Sequence, residues 1–200
     1  MSTIYNSINL HLPTNKKAYF ASDFHLGANY SGKSIERERI IIQWLASIRE
    51  DTGVLLLVGD LFDFWFEYKY VIPKGYTRFL AELSKFTDNG IPVFVFTGNH
   101  DIWMFDYLNE ELGVKILREP HIFHINNNPF FIGHGDGLGP GDKKFKFLKK
   151  IFTLPICQKL FSWLHPDIGV ALAQTWSNHS RTDPSTEKVE GEGNQRLIVY

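Results

Sequence analysis

The chain has 200 residues, 44% hydrophobic and 22% charged, with a net charge of −1. That suits one globular domain with a sizeable core and argues against a protein built to coat nucleic acid. A single cysteine, Cys157, excludes an internal disulfide, no apolar run reaches the roughly 18 residues of a spanning helix, and Met1 to Lys17 lacks the apolar centre of a signal peptide. A reducing, cytoplasmic setting fits. Cys157 lies in an apolar stretch with no neighbouring base and reads as a packed thiol.

Residues 1–16 read as a short arm interrupted by Pro13 and Asn15. Lys17 to Ser22 predicts a short strand ending at Asp23-Phe24-His25-Leu26-Gly27. Ser34 can cap a helix from Ile35 to about Arg49, with Ile41, Ile42, Leu45 and Ile48 near helical spacing. Val54 to Val58 has five aliphatic residues without polar alternation, as in a strand buried on both faces of a parallel sheet, and runs into Gly59-Asp60. Tyr76 to Thr87 predicts a helix, stopped by Asn89-Gly90. Ile91 to Thr97 predicts a strand that runs into Gly98-Asn99-His100-Asp101. A short helix is expected over Trp103 to Leu112, then strands at Val114–Leu117, His121–Ile125 and Pro129–Ile132. Asn126-Asn127-Asn128 makes a hairpin turn between the last two strands. The last strand enters Gly133-His134-Gly135-Asp136.

Strand and helix thus alternate early, giving βαβ units and a parallel sheet, with mixed strands later. From Asp142 the character changes. Lysines interleave with Phe145, Phe147, Leu148, Ile151 and Phe152, and Pro155 and Pro166 divide the rest into two more helical pieces. The expected organisation is a core over 1–140, a helical insertion or lid over 141–180, and a loop with the start of a C-terminal element over 181–200.

Four strand ends carry Asp23/His25, Asp60, Asn99/His100 and His134. Each interval is about one βα unit, so the fold can bring all four loops to the carboxyl edge of the sheet, where open α/β sheets place their ligands. Mixed carboxylate, imidazole and amide ligands suit Mn²⁺, Zn²⁺ or Fe²⁺ better than a pure oxygen cage for Ca²⁺. A two-metal site explains the division of labour. Asp23 and His25, two apart on an extended segment, face one metal, Asp60 bridges, and Asn99 and His134 bind the second. His100 reaches the scissile group as acid or charge stabiliser. Asp63 orients a ligand or a backbone amide, and Asp101 does the same for His100. Asp136 either caps a turn or positions the lid through Lys143 or Lys144. Trp65 and Phe66 are expected to pack as core near the mouth of the site.

The motifs Asp23-Phe24-His25, Gly59-Asp60-Leu61-Phe62-Asp63, Gly98-Asn99-His100-Asp101 and Gly133-His134 resemble, in order, the D-x-H, G-D-x-x-D, G-N-H-D/E and G-H motifs of calcineurin-like metallophosphoesterases. The resemblance implies an α/β fold of four layers, α/β/β/α, and a dinuclear metal centre, manganese first. Gly59 to Trp65, His134 to Leu138 and the helical insertion resemble the branch of that family that hydrolyses UDP-2,3-diacylglucosamine in lipid A synthesis. That branch implies a nucleotide-linked glycolipid substrate cleaved to UMP and a diacylglucosamine 1-phosphate. It also implies contact of the lid with the inner face of the inner membrane. Asn99, Lys143, Lys144 and Arg181 become expected substrate contacts.

Two departures stand beside the resemblance. That branch carries G-N-R-D where this chain has His100, the residue of the wider family, so another small phosphoester stays open as the substrate. The family's late G-H-x-H motif has no counterpart, and the final Arg196-Leu197-Ile198-Val199-Tyr200 reads as an element starting. The expectation is a truncated form, in which only His165 or His179 could replace the late ligands. A non-catalytic form with a partial metal site is the alternative of another class.

Overall fold

A computed structural model describes residues 5–28, 34–136 and 143–182. The central strand is β3 (Thr52–Val58), the aliphatic run. It pairs in parallel with β2 (Lys17–Ala21) on one side and β4 (Val93–Phe96) on the other, and β5 (Lys115–Leu117) pairs in parallel with β4. Side chains alternate across the sheet, so β3 supplies two cores. Leu55 and Leu57 face α1 (Ser34–Ile48), α2 (Thr77–Asp88) and α3 (Tyr107–Leu112), packing with Leu45, Phe79, Leu83 and Leu108. Val54, Leu56 and Val58 face the second sheet and pack with Phe94, Phe96, Phe123 and Ile125. Each such side chain, fully buried, contributes about 1.5–3 kcal/mol before entropy is counted.

The second sheet has the order β1 (Ser7–Leu10), β6 (His121–Ile125), β7 (Asn128–Ile132). β6 and β7 form the expected antiparallel hairpin. The N-terminal segment differs from the expected arm, because Ser7–Leu10 pairs in parallel with Ile122–Ile125. Asn126 fixes the register by accepting a hydrogen bond from the Leu12 N–H at 2.8 Å. The two sheets stack, with helices on the outer face of the first, in a layered α/β fold. Trp65 and Phe66 are buried as core.

The helix expected from Trp103 begins only at Tyr107. Trp103 instead forms an isolated parallel bridge with Phe66. The Glu67 carboxylate accepts from the Asp106 and Tyr107 N–H groups at 2.7 and 3.0 Å, satisfying donors at the start of α3.

Three helices follow the core, α4 (Lys143–Phe152), α5 (Pro155–Ser162) and α6 (Pro166–Thr182). α6 runs two residues past 180, the expected end of the insertion. The segment is fastened to the core. The Phe161 ring lies 4.7 Å from Phe66 and 4.6 Å from Trp103, and Trp103 Nε1 donates to the Phe152 carbonyl at 2.8 Å. Asp136 pairs with Lys149 at 2.5 Å, so the tie runs to a lysine further along α4 than the expected Lys143 or Lys144. The side chains of Lys143, Lys144 and Arg181 lie outside the described residues.

Candidate metal centre

The carboxyl ends of β2, β3, β4 and β7 gather the four sequence motifs. Three acidic or imidazole residues there, Asp23, His25 and Asp60, have positive φ, of 58, 44 and 53°. Asp23 and His25 are therefore left-handed rather than extended. For residues other than glycine that conformation is uncommon, so the surroundings must hold it. They do so by backbone stitching. The Asp23 N–H donates to the Gly59 carbonyl at 3.1 Å, His25 to Asp60 at 2.9 Å and Leu26 to Leu61 at 2.9 Å.

Arg37, on α1, clamps the same loop from outside. Its guanidinium donates to the carbonyls of His25 at 2.9 Å and Ala28 at 3.2 Å. Nothing in the sequence distinguishes Arg37 from the solvated face of a helix. Arg37→Met should weaken metal binding about tenfold, in the range for groups that orient ligands. Added metal should restore occupancy. Calorimetric titration with Mn²⁺ checks this, and an unchanged affinity would exclude the clamp.

Asp60 is buried and sits between the other loops. Its Oδ1 accepts the His100 N–H at 3.0 Å, and its Oδ2 lies 3.3 Å from His134 Nε2 and 3.9 Å from His25 Nε2. This proximity requires two glycines. A Cβ on Gly98 would overlap the Asp60 carboxylate and main chain, and one on Gly59, at φ +83°, would overlap the His134 ring.

Among the described residues, two groups of side chains are spaced to hold a cation, their donor atoms within 4.8 Å of one another. One is His25, Asp60 and His100, and the other is Asp23, Asp60 and His134. Asp60 belongs to both. Asp23 groups with His134 and His25 with His100, while His25 Nε2 also lies 3.9 Å from Asp23 Oδ1, the two residues expected to face one metal. Asn99 stands exposed beside His100. His165 is on the helical segment, its Nδ1 3.7 Å from Asp167.

Hydrogen bonds set the tautomers. His134 Nδ1 donates to the Val58 carbonyl at 2.8 Å and His100 Nδ1 to the Asp63 carbonyl at 3.0 Å. In the neutral rings this leaves Nε2 with a lone pair, as a metal ligand requires. The Asp63 carboxylate lies 3.9 Å from His25 Nδ1 and 3.7 Å from His100 Nδ1, between the two rings. Asp101 does not orient His100 as expected. Fully buried, it accepts the N–H groups of Gly98 at 2.7 Å and Leu61 at 2.8 Å, locking the β3 and β4 loops together.

Burial acts on these groups in both directions. It pushes the Asp101 carboxyl up to about 7, with the Asp60 charge adding to the rise and the backbone N–H groups of Gly98, Leu61 and Phe62 opposing it. For Asp60, burial raises the pKa, but the His134 bond and charge outweigh it and hold the carboxyl at about 2. For His134, burial lowers the pKa, but Asp60 outweighs it and lifts the imidazole to about 10. Without a cation, a proton on His134 therefore neutralises Asp60. The stability it contributes is complete below the ordinary histidine value of about 6.5 and is lost as pH rises through about 10. The Asp60 contribution is present above its ordinary value of 3.8 and is lost as pH falls through about 2.

Comparison with known proteins agrees with this geometry. The family model for calcineurin-like phosphoesterase matches residues 16–194. The chain belongs to the calcineurin-like phosphoesterase family. It is 35% identical to a Porphyromonas gingivalis protein named UDP-2,3-diacylglucosamine hydrolase, over 88% of this chain and 67% of that protein. A Neisseria meningitidis serogroup B protein of the same name is 31% identical over 74% of this chain and 60% of its own length. A Yersinia pseudotuberculosis relative, also so named, is 27% identical over 83% and 67%. The chain thus spans about 60–67% of the length of these relatives.

A divalent cation that took His134 Nε2 as a ligand would have to displace the proton held there. Mn²⁺ affinity should therefore rise roughly tenfold per pH unit between pH 6 and 8 for one proton displaced. His134→Gln should flatten that slope as well as weaken binding. Calorimetric titration in buffers of different ionisation enthalpy counts the released protons, and a count near zero in the parent chain would refute the exchange.

Proposed function

We propose that the protein is a metal-dependent hydrolase that cleaves the pyrophosphate of UDP-2,3-diacylglucosamine to UMP and 2,3-diacylglucosamine 1-phosphate. The observation that carries the chemistry is the Asp60 carboxylate common to two cation-sized groups. The substrate rests on the name shared by the relatives.

The centre would hold two divalent ions, manganese in our reading, with Asp60 between them. His25 would face one, and Asp23 and His134 the other, with His100 kept for the substrate. When bound, such ions activate water and draw charge from a phosphoryl oxygen. The chain's own residues do the rest. Asp63 and the Val58 carbonyl hold the imidazoles in the tautomer that presents Nε2. Asn99, exposed beside the centre, reaches for a phosphate oxygen. His100 delivers a proton to the departing oxygen. Water adds to phosphorus as the bridging phosphorus–oxygen bond breaks.

The helical segment suits the lipid end as a lid. Phe147, Ile156, Leu160, Trp163, Ile168 and Leu172 are each more than half exposed. Lys146, Lys150 and Lys159 accompany them, the pairing of apolar and cationic groups that lies at an anionic membrane surface. Among the described residues no helix is long and apolar enough to cross a membrane, so the contact proposed is peripheral.

The test is a manganese-supplemented assay of this chain on UDP-2,3-diacylglucosamine against bis(p-nitrophenyl) phosphate. Release of UMP at a much higher kcat/KM than the generic diester supports the reading. Turnover of the diester alone would replace it with a phosphodiesterase acting on another small phosphoester, the reading that His100 in place of arginine favours.

A further inference from the structure

We propose that the cavity between the Gly27 turn, the start of α1 and the loop before α2 is the subsite for the pyrimidine base of the substrate. This rests on the nucleotide-linked substrate of the preceding section and extends it to a site which the motifs do not mark.

The placement follows from strand order. The loops after β3 and β4 carry Phe64, Phe66 and Trp103, and these rings meet the helical segment. The loop after β2, on the other side of β3, carries Gly27, two residues beyond His25. A substrate centred on Asp60 has two arms. If its apolar arm lies toward the helices, the other arm leaves over the β2 loop. There a cavity of about 300 Å³ is lined by Gly27, Ser34, Ile35, Glu38, Lys74 and Tyr76. That volume is at the lower limit of small-ligand sites, fit for a heterocycle and not for a diacylated sugar.

The lining is chemically specific. Glu38 Oε1 is buried with no hydrogen-bond partner among the described residues. A buried acceptor left unmet is costly and calls for a donor from a ligand or water. Ser34 Oγ accepts the Gly27 N–H at 3.2 Å, which leaves its own hydroxyl hydrogen to donate. Lys74 brings an ammonium donor, and Ile35, 60% exposed, brings an apolar lip. The carboxylate opposes a phosphate in this place, and the ammonium opposes a bare cation. A ring with an N–H between two carbonyls, as in uracil, matches one acceptor flanked by donors. Cytosine has no hydrogen on that ring nitrogen and does not match.

The test is calorimetric titration of UMP, CMP and ribose 5-phosphate into the manganese-loaded protein. All three carry the same phosphate, so their differences isolate the base. UMP should bind about tenfold more tightly than either of the others, as expected for one buried acceptor met or left unmet. Glu38→Ala should reduce that advantage to about twofold while ribose 5-phosphate binds as before. Lys74→Ala, at an exposed position, should reduce it independently. Equal binding of UMP and ribose 5-phosphate by the parent chain, or an advantage that survives both substitutions, would overturn the subsite. Preference for UMP without turnover of UDP-2,3-diacylglucosamine would overturn the proposed substrate and leave the subsite standing.

Discussion

Asp60→Asn should abolish phosphoester hydrolysis, lowering kcat/KM about ten-thousandfold or more, which is about 5.5 kcal/mol of transition-state stabilisation. The substitution is chosen to leave the fold intact. Asn adopts the left-handed conformation as readily as Asp does, so the turn at φ 53° survives. An amide oxygen can still accept the His100 N–H that Asp60 Oδ1 now accepts. What is lost is one negative charge and the second anionic oxygen, the one that faces His134 and His25. Both cation-sized groups contain Asp60, so both should lose affinity together. Elemental analysis should find less than one metal per chain at a manganese concentration that loads the parent fully. Activity within tenfold of the parent, or full loading, would remove Asp60 from its shared position.

Much of this centre was legible because its signals are local. Five aliphatic residues before Gly59-Asp60 specify a doubly buried strand, and every residue from Val54 to Val58 is buried. Three similar strand ends place their polar residues on the same edge. The unread parts depend on distant partners. Ser7–Leu10 has too few apolar residues to declare a strand, and becomes one by pairing with β6 more than a hundred positions later. Trp103 reads as a helix start from its neighbours, but Phe66 and the helical segment recruit it, and Glu67 satisfies the α3 amides instead. The left-handed conformation of Asp23 and His25, held by bonds to the loop after β3, is likewise something that alternation along an extended strand cannot foresee. Asp101 illustrates the same limit. Its place in the motif suggests a partner for the adjacent histidine, whereas its carboxylate closes two loops that only the sheet brings together.

These distinctions matter most for His100, whose geometry is compatible with a ligand and with an acid. Its ring stands 4.8 Å from that of His25, and its Nδ1 is committed to the Asp63 carbonyl. Only Nε2 is left to meet a cation or a departing oxygen. We assign it the proton transfer, because it directly follows exposed Asn99, which is expected to meet the substrate. An acid helps a reluctant leaving group more than a good one. His100→Ala should therefore lower turnover of the pyrophosphate substrate about a thousandfold, and of bis(p-nitrophenyl) phosphate only about tenfold, because nitrophenolate departs without protonation. Metal content should stay at the parent value, since His25 and Asp60 remain on one side and Asp23, Asp60 and His134 on the other. Loss of one metal equivalent, with both substrates slowed alike, would make His100 a ligand and assign the proton transfer to another group.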